Sequence, residues 1–149
     1  MELLRKYEKY IQSGLCVFSV IVLLFFPFVD LDYGYGVESN FTGFTMAMNT
    51  YIGYLLFLLP VVLVLAHFVP KYQTQKPLLS IAVPVLCIVA WLLTVLFSKT
   101  FNAQLSDSTL ASGAWLSLIS YVLLGVYGVL MYKNVIMELL GSINKNQKK

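Results

Sequence analysis

The side chains able to do chemistry are few, and most stand alone. His67 is the only histidine. Imidazole titrates near neutrality, so His67 could sense pH or touch an ion. It stands three residues before Pro70, at the edge of an apolar run, and reads more simply as an interfacial side chain reaching toward lipid headgroups. A nucleophile that needs an imidazole base would have to meet this one residue. No H-E-x-x-H, G-x-S-x-G or phosphate-binding loop occurs, and Ser106-Asp107-Ser108 sets hydroxyls beside a carboxylate without a base. Asp30, Asp32 and Glu38 carry the oxygen ligands that calcium prefers. Their spacing is not that of an EF-hand loop, and two acids on one face of a strand are normally solvated. Cys16 and Cys87 fall inside apolar runs with no C-x-x-C partner and read as small buried hydrophobes. Asn40-Phe41-Thr42 matches the glycosylation sequon, which matters only in a secretory pathway that uses it. The residues therefore assign no catalytic, cofactor or metal site, and no enzyme activity is expected.

The elements that carry these residues explain their scarcity. The 149 residues are 59% hydrophobic and 11% charged, against about 25% charged in ordinary soluble domains. A chain this short cannot hide so much apolar surface from water. Its net charge of +3 forms no basic face on a soluble fold, so nucleic acid is not an expected partner. The solvent implied is the lipid bilayer.

Four apolar runs approach the roughly 20 residues that a helix needs to cross the hydrocarbon core. They cover about 13–29, 51–69, 78–98 and 114–132, and His67 is the only ionisable group within them apart from thiols and phenols. Lipid offers the backbone no hydrogen-bond partner, so each run should be helical. The first is longer than a signal-peptide core and lacks a small-x-small cleavage site, so it reads as an uncleaved span. With the N-terminus inside, the inner segments hold Arg5, Lys6, Lys9, Lys71, Lys76, Lys133, Lys145, Lys148 and Lys149, and the outer ones only Lys99. That asymmetry predicts a multi-pass cell-membrane protein with both termini cytoplasmic. The absence of aspartate from every span excludes a paired-aspartate intramembrane protease, and the lack of buried charge argues against a proton-coupled transporter.

The expected fold is all-α: one antiparallel bundle of four membrane helices over residues 1–141, followed by a disordered cytoplasmic tail over 142–149. The short turn from Pro70 to Pro77 makes spans two and three a helical hairpin. Between spans one and two, Val29 to Glu38 alternates polar and apolar residues about Gly34-x-Gly36, which suggests a small β-hairpin resting on the helix ends. Ser106 to Thr109 is expected to cap the fourth helix. That helix should continue to Leu140 and stop at Gly141. Pro60 and Pro84 should bend their helices.

Two stripes of small residues mark close helix approach: Gly113, Ser117, Ser120 and Gly128 on the fourth span, and Ser80, Cys87, Ala90, Thr94 and Ser98 on the third. They serve either packing inside the bundle or contact with another membrane protein or a second copy. Tyr33, Tyr35, Phe41 and Phe44 crowd the outer loop, where aromatics anchor a protein at the interface or form a contact surface. Tyr7, Tyr10, Tyr72 and Tyr132 form the inner belt.

Phe26-Pro27-Phe28-Val29 after the first span, Thr42-Gly43-Phe44 before the second and Gly113-Ala114-Trp115-Leu116-Ser117 at the fourth resemble small four-span bacterial membrane proteins of uncharacterised families. The resemblance implies a bacterial cytoplasmic membrane and brings no activity or site residue with it. The expected function is non-catalytic. The protein would bind another protein, as an accessory subunit of a membrane complex or as an immunity-type protein against a membrane-active toxin. The alternative is a small-solute channel or carrier that must oligomerise, with Ser80, Thr94, Ser98, Ser117 and Ser120 lining its path.

Overall fold

A computed structural model of the chain describes residues 7–32, 38–72, 74–98 and 108–146. Helix α1 runs from Glu8 to Phe25. It starts a turn before the uncharged run does, because a carboxylate is favourable in a first helical turn. It stops earlier than the expected Val29. Pro27 forces the residue before it out of the helical region, and Phe26 is extended at φ −96°, ψ 146°.

The chain then enters strand β1 (Pro27–Asp32), and strand β2 (Glu38–Thr42) returns antiparallel to it. The hairpin is longer than the sequence suggests, and its turn lies outside the described residues. A third strand, β3 (Ser108–Leu110), pairs antiparallel with the other edge of β1 and gives the sheet order β2-β1-β3. Ser108 and Thr109, expected to cap a helix, are thus strand residues. A register shift between Pro27 and Val29 breaks the inward–outward alternation. Phe28, Val29 and Leu31 can therefore all be buried, with Phe28 against Trp91 at 6.1 Å between ring centroids.

The second apolar run is preceded by a short helix and opens on a 3-10 turn. The Thr42 hydroxyl accepts the Thr45 amide at 3.4 Å and opens a short helix, α2 (Gly43–Thr50). Tyr51 ends it at φ 56°, a conformation that few residues other than glycine adopt. A 3-10 turn, Ile52–Tyr54, leads into α3 (Leu55–Phe68). A second 3-10 turn (Pro70–Tyr72) precedes α4 (Lys76–Phe97), and α5 covers Ser112–Asn146. Tyr132 is non-helical at φ −113°, ψ 18°, so α5 bends where the fourth apolar run ends. Beyond it the backbone stays helical through Gly141 to Asn146, where a stop and a disordered tail were expected. Three of these helices, Glu8–Phe25, Lys76–Phe97 and Ser112–Lys133, are long and apolar enough to cross a membrane, whereas Ile52–Phe68 is apolar but shorter.

Four helices run between the same two ends. The Lys76 ammonium lies 3.3 Å from the Glu8 carboxylate, so α1 and α4 begin together. At the opposite end, the sheet end, the Ser98 hydroxyl meets the Met46 sulfur of α2 at 3.6 Å, and the Ala111 amide donates to the Phe28 carbonyl at 3.0 Å. A chain that leaves α1 at the sheet end and starts α4 beside Glu8 must return through α3. Accordingly α3 reaches from Leu56, whose carbonyl accepts the Tyr121 hydroxyl at 3.2 Å, to His67 beside Glu8. The core between these helices includes Leu23, Leu56, Leu63, Val83, Cys87, Trp91, Tyr121 and Leu124.

Gly113 joins the sheet to the bundle. A Cβ there would lie 2.6 Å from the Pro27 carbonyl oxygen, which is backbone and cannot swing aside. Gly113→Ala should therefore cost about 1–3 kcal/mol of stability. The check is unfolding in mild detergent beside Gly14→Ala, where an added Cβ meets nothing within 4 Å.

Candidate functional site

The main polar cluster among the described residues lies at the Glu8 end and centres on a residue that the apolar runs leave out. Glu8 is 8% exposed and Gln12, one turn on, is 0% exposed. The Glu8 carboxylate accepts the Tyr132 hydroxyl of α5 and pairs with Lys76 of α4. It also stands 3.9 Å from Nε2 of His67 on α3. One carboxylate of α1 therefore faces all three other long helices. One layer deeper, the Ser80 hydroxyl donates to Gln12 Oε1 at 3.2 Å. Beside it, α5 presents Gly128, where any Cβ would fall on the Ser80 carbonyl oxygen. The bare glycine is what lets α4 bring Ser80 to Gln12.

His67 is not an interfacial side chain reaching outward. It is 5% exposed, and Nδ1 sits 2.8 Å from the Leu63 carbonyl oxygen of its own helix. A carbonyl oxygen only accepts, so Nδ1 carries the hydrogen and Nε2 is the atom turned toward Glu8. The cluster can neutralise charge and bind a small polar group. Among the described residues, no three His, Cys, Asp or Glu side chains are gathered as metal ligands would be.

The stripes predicted from small residues lie inside this chain. Ser80, Cys87, Ala90, Thr94, Ser98, Gly113, Ser117, Ser120 and Gly128 are all buried. The hydroxyls of Thr94, Ser117 and Ser120 turn back onto carbonyls of their own helix, those of Ala90, Ala114 and Leu116, at 2.7–2.8 Å. At the sheet end, Phe44 is 42% exposed and meets Phe57 edge-on at 6.1 Å, while Phe41 is half-buried. Tyr33 and Tyr35 lie outside the described residues. Asp32 and Glu38 are register partners beside the turn of the hairpin, and Asp30 pairs with Asn40.

Two of the apolar grooves on the outside of the bundle lie among the described residues. One of about 240 Å³ lies between α1 and α3, against Cys16, Val17, Val20, Ile21, Pro60 and Val64. The other, about 350 Å³, lies between α4 and α5 against Ile81, Val85, Gly125 and Val129. Neither carries the convergent polar groups that orient a ligand.

Reasoning from uncharged runs missed Glu8 and Gln12. A signal was present all the same: Glu8, Gln12, Cys16, Ser19 and Leu23 recur at steps of three and four, and all five are buried. The chain matches no protein-family model, no curated protein and no solved structure.

Proposed function

We propose that this is a four-span protein of a bacterial cytoplasmic membrane, with both termini in the cytosol, that acts without catalysis by binding another protein. Accessory subunit of a membrane complex and immunity-type protein are the two forms this takes. The fourth crossing is α3 with its leading 3-10 turn. At ordinary helical rises Ile52–Phe68 extends about 27 Å, close to the roughly 30 Å of hydrocarbon. Local thinning of the bilayer and the flanking Lys71 and Tyr72 take up the difference.

The observation that carries the reading is the sheet at the outer end. A two-stranded hairpin is marginal in water. This chain adds a third strand, seats Phe28 on Trp91 and leaves Gly113 bare against Pro27. The result is a stiff platform whose outer strands, β2 and β3, each pair with β1 on one side. Strand edges accept an extended segment of a partner through main-chain hydrogen bonds. Exposed Phe44, two residues past the end of β2, and exposed Tyr51 at the end of α2 supply the aromatic anchors that contact surfaces favour. The channel alternative draws no support from the serine and threonine hydroxyls, because those of Thr94, Ser117 and Ser120 bond to their own helices.

The test is affinity purification in mild detergent with mass spectrometry, on the natural chain and on Asn40→Lys and Thr109→Lys. Both positions are exposed strand residues, and lysine on a strand edge opposes pairing. The expected result is one specific partner, recovered at least about tenfold less with either variant (roughly 1.4 kcal/mol of binding), while the melting temperature is unchanged. A monomer with no specific partner overturns the proposal.

A further inference from the structure

The Glu8 end presents two buried nitrogen atoms without a hydrogen-bond partner. Glu8 and Gln12 stand on one face of α1, their Cβ atoms about 5–6 Å apart as for any pair one turn apart. The Gln12 oxygen is taken by Ser80, and its amide nitrogen, fully buried, meets no acceptor among the described residues. His67 Nε2 is buried too and has no hydrogen-bond partner there. Glu8 Oε1 stands 3.9 Å from it. In the neutral ring, whose one hydrogen is committed to Leu63, Nε2 is a lone pair facing a carboxylate, two acceptors with no proton between them. Buried donors and acceptors are almost always satisfied, by protein or by ordered water.

We propose that Gln12, His67 and Glu8 form a binding site for one water molecule, which accepts from the Gln12 amide and donates to His67 Nε2 and the Glu8 carboxylate. Three hydrogen bonds is the usual complement of a buried water. The surrounding charge selects against other guests. The Lys76 ammonium, 3.3 Å from Glu8, repels a cation, as do the amide hydrogens of Gln12. The carboxylate repels an anion. Only a neutral molecule that both donates and accepts satisfies all three groups. The bound water links α1 to α3 at the end where His67 spends its other nitrogen on its own helix.

The experiment is water-edited solid-state NMR of the full chain, labelled with ¹⁵N and ¹³C, in phospholipid bilayers at neutral pH. The expected result is rapid transfer of magnetisation from water to the Gln12 side-chain amide and the His67 ring, with Nε2 showing the shift of an unprotonated nitrogen. The fully buried Leu56 should receive little. Gln12→Leu, close in volume and without the donor, should lose the transfer to His67 while other helix signals stay in place. If that variant does not fold, the natural chain decides alone. Side chains of Gln12 and His67 as dry as Leu56, a proton on Nε2, or a direct bond from the Gln12 amide to a protein acceptor would each overturn the proposal.

Discussion

Glu8→Ala lowers the unfolding free energy by about 3 kcal/mol, toward the lower end of the range for breaking a buried ion pair. The burial of the groups decides the size. An exposed pair of this kind is worth at most about 1 kcal/mol, but here the side chains of Glu8 and Lys76 are 10% and 20% exposed. Alanine also leaves the Tyr132 hydroxyl without its carboxylate acceptor. Because α1 and α4 begin at this one group and α5 bends beside it at Tyr132, the loss should loosen the bundle at that end first. Hydrogen exchange should rise at Lys76 to Ser80 before the sheet is affected. Glu8→Gln keeps an acceptor for Tyr132 and should cost less, about 1–2 kcal/mol. Denaturant unfolding in detergent micelles measures both. A Glu8→Ala chain within about 0.5 kcal/mol of the natural one, the range of an ordinary surface substitution, would mean that the cluster does not hold the helices together.

Gly128→Leu has a comparable or larger effect for a steric reason. A Cβ at Gly128 would land on the Ser80 carbonyl oxygen, with the Ser80 carbonyl carbon 3.0 Å away. Both are backbone of a neighbouring helix, so α4 and α5 must separate, and the Ser80–Gln12 hydrogen bond goes with them. Gly128→Ala alone should cost roughly 1–3 kcal/mol, and Gly128→Leu more than that. Gly125, one turn earlier on the same helix, is the control. Its added Cβ would meet the Pro84 side chain at 3.5 Å, an ordinary contact, so Gly125→Ala should leave the melting temperature nearly unchanged or raise it. Equal effects at the two glycines would show that helix propensity, not the close approach to Ser80, sets the stability here.

The helices were legible because lipid imposes a simple rule on them. Runs without charge must satisfy their own backbones, and three of the four runs became helices of membrane length near their expected bounds. What escaped was decided by single residues or by distant pairing. Pro27 stops α1 four residues early and turns Phe28 and Val29, which look like the end of a span, into strand. Thr42 caps a short helix in what the sequence reads as loop, and left-handed Tyr51 separates that helix from the second run. Strand β3 pairs with a segment nearly 80 residues earlier in the chain. No local pattern announces such a partner.

The candidate site was hidden by a different effect. Glu8 and Lys76 sit just beyond the uncharged runs, where sequence assigns charges to the cytoplasmic flank. Only the packing of four helices brings them out of water together. The small-residue stripes were visible from spacing, but their use was not. Gly128 serves Ser80 of the same chain, a contact that sequence alone cannot tell from one with a neighbouring molecule.

The account rests on α3 carrying the chain across the bilayer, which membrane-impermeant maleimide labelling tests most directly. Cys16 and Cys87 are buried and should give little background, so Asn40→Cys and Thr74→Cys, both at exposed positions, can be read one at a time in intact cells. The account predicts labelling of residue 40 from outside, and labelling of residue 74 only after the membrane is opened. Labelling of both positions from the same side would contradict it, because α3 would then enter and leave the bilayer on one face.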